Sequence, residues 1–179
     1  MIEYGLTPQE ADNFYKITLR DPMWVEFDLE NIPYKEAEEL FIKKYPDQED
    51  ALRYFFENDH KMPVARPNVY EKCEQLLDKG YKLYILSNYS SKLFETHTSI
   101  IPIINRFTGK VVSYMIHKIK PDHAIYEELY KRYSINPHES LFFDDRAENV
   151  QASIETGMDA IIVESEDGLI NDLEKILES

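Results

Sequence analysis

In the first third of the chain, apolar residues recur at three- and four-residue intervals, the spacing of one buried helical face. Ala11, Phe14 and Ile17 form one such stripe, Ala37, Leu40 and Phe41 a second, and Leu52, Phe55 and Phe56 a third. The first has a defined start: Thr7 can cap, Pro8 suits the first turn, and Glu10 completes a capping box. The pattern predicts three helices with acidic outer faces, packed as a small bundle.

Lys61-Met62-Pro63-Val64-Ala65-Arg66-Pro67 breaks this rhythm with two prolines in five residues, and beyond it helical stripes alternate with short apolar runs. Val69, Cys73, Leu76 and Leu77 predict a helix stopped by Gly80, followed by a buried strand from Tyr81 to Leu86. Further strands are expected at Val111-Val112-Ser113, Leu141-Phe142-Phe143 and Ala160-Ile161-Ile162-Val163. Helices are expected from Pro121 to about Tyr133, around Ala147, Val150 and Ile154 up to Gly157, and through Leu169, Leu173 and Ile176. Such alternation predicts an α/β fold, a parallel sheet flanked by helices on both faces. The expected organisation is a helical subdomain over 1–66 and an α/β core over 67–179.

Composition sharpens this picture. A chain of 179 residues that is 43% hydrophobic and 13% aromatic can bury a sizeable core despite its 30% charged residues. Twenty Lys+Arg against 34 Asp+Glu give a net charge of −14, which repels phosphate backbones and anionic lipid, so no nucleic acid or membrane partner is expected. No apolar run approaches the ~20 residues of a membrane span, and Met1-Ile2-Glu3-Tyr4 does not open a signal peptide. The single cysteine, Cys73, has no partner in the chain and reads as a small core residue, in keeping with a cytoplasmic location.

In open parallel sheets ligands bind beyond the carboxyl ends of the strands, so the residues after each apolar run carry the candidate chemistry. Here the first strand ends in Ser87-Asn88, the third ends in Asp144-Asp145, and Lys120 precedes the helix opening at Pro121. Each has a plain structural explanation: Ser87 as a helix cap, Lys120 as a solvated lysine, the aspartates as a turn. As an ordered series they bring hydroxyl, amide, ammonium and two carboxylates to one rim.

This series resembles the haloacid dehalogenase (HAD) superfamily, in which a strand-end Ser or Thr, a Lys and an acidic pair recur in this order. Leu86-Ser87-Asn88-Tyr89-Ser90, Lys120-Pro121-Asp122 through Ile125-Tyr126, and Phe142-Phe143-Asp144-Asp145 through Asn149-Val150 look like the subfamily with a helical cap. The resemblance implies a Rossmann-like core with a small all-helical cap. It implies that Ser87 and Asn88 bind phosphate with Lys120, that Asp145 is the direct ligand of Mg2+, and that Asp144 lies at or just behind the metal. The acidic pair favours magnesium-assisted phosphoryl transfer over carbon–halogen chemistry, because two adjacent carboxylates serve a cation. The implied substrate is a small phosphorylated metabolite. Trp24 through Ile32 is similar to the family's Trp-bearing Asp-x-Gly-x-Ile turn, with Glu30 in place of the glycine, and His117 also stands where relatives commonly have glycine.

The family's first motif, an apolar strand ending in Asp-x-Asp, should precede the cap and supply the nucleophile and the acid/base. Only six residues precede Thr7, and none is aspartate. Val25-Glu26-Phe27-Asp28-Leu29-Glu30 imitates that motif, with Asp28 as nucleophile and Glu30 as acid/base, but Glu26 would put a charge inside a central strand and Pro33 follows closely. The expectation is therefore a core whose first, central strand is missing, with Met1 readable as an internal methionine of a longer frame. The strands ending at Ser87 and Asp145 should then pair directly, or another segment or chain should fill the slot, by homo-oligomerisation or strand complementation. Three functions follow: a HAD phosphatase inactive as this chain alone, a non-catalytic phosphate- and magnesium-binding module, or an active enzyme using Asp28.

Overall fold

The computed structural model describes residues 1–178. The first helix, α1 (Pro8–Ile17), starts as its capping box requires: Glu10 N donates to Thr7 Oγ1 at 3.3 Å, and Thr7 N donates to Glu10 Oε2 at 2.8 Å. The second, α2 (Pro22–Asp28), is absent from the pattern-based expectation, because Met23, Trp24, Val25 and Phe27 leave no polar stripe to define a face. Its start is nonetheless encoded. Asp21 caps Met23 N at 2.8 Å and Pro22 occupies the first turn. The Asp21 carboxylate also takes Lys44 Nζ at 2.7 Å and the Tyr45 hydroxyl, which fixes α2 against the end of α3 (Ala37–Lys44).

With α4 (Glu49–Glu57) these helices enclose a core built around Trp24, whose ring lies 6.0–6.4 Å from those of Phe27, Tyr34, Phe41, Phe55 and Phe56. Aromatic rings at such spacings add to the area each buries. The cluster extends beyond the prolines, since Leu93 and Tyr89 also pack into it. A second cluster gathers Leu86, Val111, Ile125, Tyr126, Leu129, Phe142, Ala152 and Met158. The α/β part runs α5 (Pro67–Asp78), β1 (Tyr84–Ser87), α6 (Ser91–Thr98), β2 (Gly109–Val112), α7 (Ser113–Ile116), α8 (His123–Tyr133), β3 (Leu141–Asp144), α9 (Ala147–Glu155), β4 (Asp159–Ile162) and α10 (Glu166–Glu178), and this cluster draws its buried members chiefly from β1, β2, α8, β3 and α9. Helix α8 begins at His123, later than expected, because Asp122 caps Ala124 N at 2.9 Å. Cys73 is half-buried, and burial raises its thiol above the usual range.

The strands form two parallel pairs: β1 on β2, with Leu86 opposite Val111, and β3 on β4, with Phe142 opposite Ala160. The expected direct pairing of β1 with β3 does not occur, and no in-chain strand separates them among the described residues. Backbone polarity explains this. Thr108 N donates to Leu83 O at 2.7 Å, so carbonyls at alternate positions face β2 and that of Leu86 faces away. There it accepts Lys120 Nζ at 2.8 Å, and the same ammonium bonds Asp144 Oδ2 at 2.6 Å. A side chain thus bridges the half-sheets where a ladder N–H would have to sit. No described helix is long and apolar enough to cross a membrane.

Candidate active site

The carboxyl ends of β1 and β3 bring the predicted residues to one rim. Asn88 and the Lys120 backbone exchange two hydrogen bonds, Asn88 Nδ2 to Lys120 O at 3.0 Å and Lys120 N to Asn88 Oδ1 at 2.8 Å. This reciprocal clamp fixes the loop after β1 against the loop before α8, with Lys120-Pro121 in the cis form. Lys120 is buried, its ammonium 5.3 Å from the centre of the Phe142 ring, and burial outweighs the attraction of Asp144 to pull its pKa below the ordinary lysine value. Ser87 is half-buried at the end of β1, and its hydroxyl has no partner among the described residues.

The two aspartates play different parts. Asp144 is fully committed: Oδ1 accepts from Arg146 N at 2.9 Å and Asn149 Nδ2 at 2.8 Å, and Oδ2 holds Lys120. Asn149 is itself fixed, because its carbonyl accepts the Tyr126 hydroxyl at 2.8 Å. Asp145 is exposed and makes no hydrogen bond or ion pair among the described residues. Magnesium keeps several waters and takes one or two protein carboxylates, so the free Asp145 fits as a ligand while Asp144 is tied up behind it. No group of three or more His, Cys, Asp or Glu suited to a metal occurs among the described residues, so Asp145 would need donors from elsewhere to complete a site.

Asp28 belongs to the bundle, and its carboxylate reaches the loop after β1 through Ser90 N. It ends a helix, not a strand, and is 9% exposed. Burial pushes its carboxyl up to about 7, against the opposing effect of hydrogen bonds from Ser90 N and the Trp24 side chain. A hollow of about 450 Å3 is lined by bundle residues alone, among them Phe14, Lys44 and Tyr45, and takes in none of the strand-end residues.

Comparison with known proteins decides the family. The profile of haloacid dehalogenase-like hydrolases matches residues 3–163. The chain belongs to this family. An HAD-family enzyme from Bacteroides thetaiotaomicron superposes with a TM-score of 0.66 at 19% identity, covering 87% of this chain and 77% of that one. A predicted HAD-like hydrolase from Porphyromonas gingivalis gives 0.67 at 16% identity, covering 89% and 81%. The Bacteroides enzyme has also been solved in complex with magnesium and inorganic phosphate. In sequence, the chain is 30% identical over 143 residues to enolase-phosphatase E1 of Aquifex aeolicus, covering 77% of this chain and 58% of the relative. It is 39% identical over 56 residues to flavin mononucleotide hydrolase 1 of Arabidopsis thaliana, covering 31% and 23%. The chain therefore spans little more than half the length of the first of these relatives and less of the other.

In this HAD-like chain the sequence reading located Ser87, Asn88, Lys120, Asp144 and Asp145, and the fold brings all five to the β1 and β3 ends. It did not foresee the contacts that hold the rim together: Ser113, buried at the end of β2, and Glu30 and His117, which had been noted only as departures from glycine. Both of the latter have positive φ, 58° and 50°, a backbone conformation that a side chain disfavours.

Proposed function

We propose that this chain carries the phosphate- and magnesium-binding side of an HAD phosphatase acting on a small phosphorylated metabolite. The observation that carries the reading is Lys120, buried and shared between Leu86 O and Asp144 across the interval between the half-sheets. A buried ammonium bonded to the carbonyl of Leu86, the residue before Ser87, whose hydroxyl has no partner among the described residues, is suited to an oxyanion. Ser87 would donate to a phosphoryl oxygen, Lys120 would offset its charge, and Asn88 would hold the two loops in register. Asp145 would hold magnesium, which when bound supplies positive charge against the phosphoryl oxygens.

On this reading the nucleophile comes from outside the described residues. In the proposed reaction a carboxylate on a strand entering between β1 and β3 attacks phosphorus, the ester P–O bond breaks, and the departing oxygen takes a proton. Water then hydrolyses the aspartyl-phosphate to inorganic phosphate. A second reading, a non-catalytic phosphate-binding module, is favoured by Asp28 ending a helix and not a strand.

Calorimetric titration with inorganic phosphate in magnesium buffer tests the binding half. Ser87→Ala should weaken binding about tenfold, the loss of one hydrogen bond to a charged group. Asp145→Asn should remove the dependence on magnesium. A parent chain that takes up no phosphate, or an Asp145→Asn variant with the same magnesium dependence, would sink the reading.

A further inference from the structure

Three consecutive residues of one bundle turn each bond a different part of the α/β half. The Asp28 carbonyl accepts the buried Ser113 hydroxyl at 2.5 Å, and Ser113 Oγ in turn accepts Tyr89 N at 2.9 Å. The Leu29 carbonyl accepts from His117 Nδ1 at 2.6 Å. The Glu30 carboxylate takes both Ser91 N, at 3.0 Å, and Ser91 Oγ, at 2.8 Å, and so caps the start of α6. Ser91 stands four residues after Ser87, and His117 three residues before Lys120. The turn therefore grips both loops that carry the anion-binding groups, just outside the point where Asn88 and Lys120 clamp them to each other.

Glu30 and His117, the side chains that make two of these contacts, are the ones with left-handed backbones. Glycine would relax both positions, so a side chain at either carries strain that its contacts must offset. We propose that Glu30 and His117 are positioning residues, a two-point latch that seats the helical bundle on the rim and sets Ser87, Asn88 and Lys120 for an anion. The consequence for phosphate rests on the functional reading above; the latch itself does not.

Two double variants separate latch from filler. Glu30→Gly with His117→Gly removes both contacts and also the backbone strain, so the fold should persist. Glu30→Gln with His117→Asn keeps an amide oxygen for Ser91 N and an amide donor for Leu29 O, and asparagine tolerates the left-handed conformation. Hydrogen exchange is followed over residues 88–92 and 113–120, and inorganic phosphate is titrated in magnesium buffer. The glycine pair should exchange about tenfold faster in both segments and bind phosphate about tenfold more weakly, as expected for losing a hydrogen bond at each point. The Gln/Asn pair should restore both to within about threefold. Unchanged exchange in the glycine pair, faster exchange without rescue, or faster exchange with parental phosphate affinity would overturn the proposal. If the parent binds no phosphate, the phosphatase reading falls, and exchange alone then decides the latch: faster and rescued supports it, unchanged refutes it.

Discussion

Asp144→Ala is expected to destabilise the chain by about 3–5 kcal/mol, far more than Lys120→Met, at about 1–2 kcal/mol, although each removes one partner of the same ion pair. The asymmetry follows from what each change leaves behind. Without Asp144 the Lys120 ammonium stays buried with only the Leu86 carbonyl and the face of Phe142, and Arg146 N and Asn149 Nδ2 lose their acceptor. Without Lys120 the Asp144 carboxylate keeps both of those donors on Oδ1, while its Oδ2 and Leu86 O each lose one partner. Burial already pulls the lysine pKa down in the parent, so the ammonium is the more costly charge to strand. Urea denaturation of the two variants at pH 7 checks the order, and equal losses would show that Asp144 is not the hub of this network.

Asp28 should make stability fall as pH rises from about 4 to about 7, and Asp28→Asn should abolish that dependence. The sign follows from linkage. The folded-state pKa is raised by burial to about 7 from the ordinary aspartate value of 3.8, so through that interval the folded chain holds a proton that the unfolded chain has released. The lost stability is fully developed above pH 7 and absent below about pH 4. A shift of this size corresponds to at most about 4 kcal/mol, of which about 2–3 kcal/mol develops between pH 5 and pH 8. An amide at this position still accepts a hydrogen bond from Ser90 N or Trp24, so the variant should gain stability over the parent at pH 8 and little at pH 5. Urea midpoints at the two pH values measure it, and the same difference at both would mean that Asp28 does not titrate in this range.

The five rim residues were legible because four follow apolar runs and Lys120 stands before Pro121 and the helical stripe beyond it, and topology then dictates where they lie. The unequal roles of Asp144 and Asp145 were not legible. Adjacent carboxylates look alike in sequence, and only the meeting of Arg146 N, Asn149 and Lys120 at Asp144 separates them. Helix α2 was missed since a short segment dense in apolar residues shows no period, and Val25-Glu26-Phe27-Asp28 passes for an alternating strand over its four residues; the Asp21-Pro22 start was the signal that could have identified it. The division at the prolines was only partly informative about packing, because Tyr89 and Leu93 point into the bundle's core. A gap in the sheet could be anticipated, but its form could not. Lys120 takes the Leu86 carbonyl that a strand beside β1 would use, and the sequence does not show that contact.

On the proposed reading, the described residues hold one side of a phosphatase site and the attacking carboxylate is supplied by a strand outside them. The direct test is magnesium-dependent hydrolysis of a generic phosphate ester, measured for the chain alone and for the chain carrying at its N-terminus an apolar strand that ends in Asp-x-Asp. The predicted result is no turnover above background by the chain alone, and turnover by the extended chain that is lost when the first aspartate of the added pair becomes asparagine. Turnover by the chain alone that disappears in Asp28→Asn would refute this reading and place the nucleophile in the helical bundle.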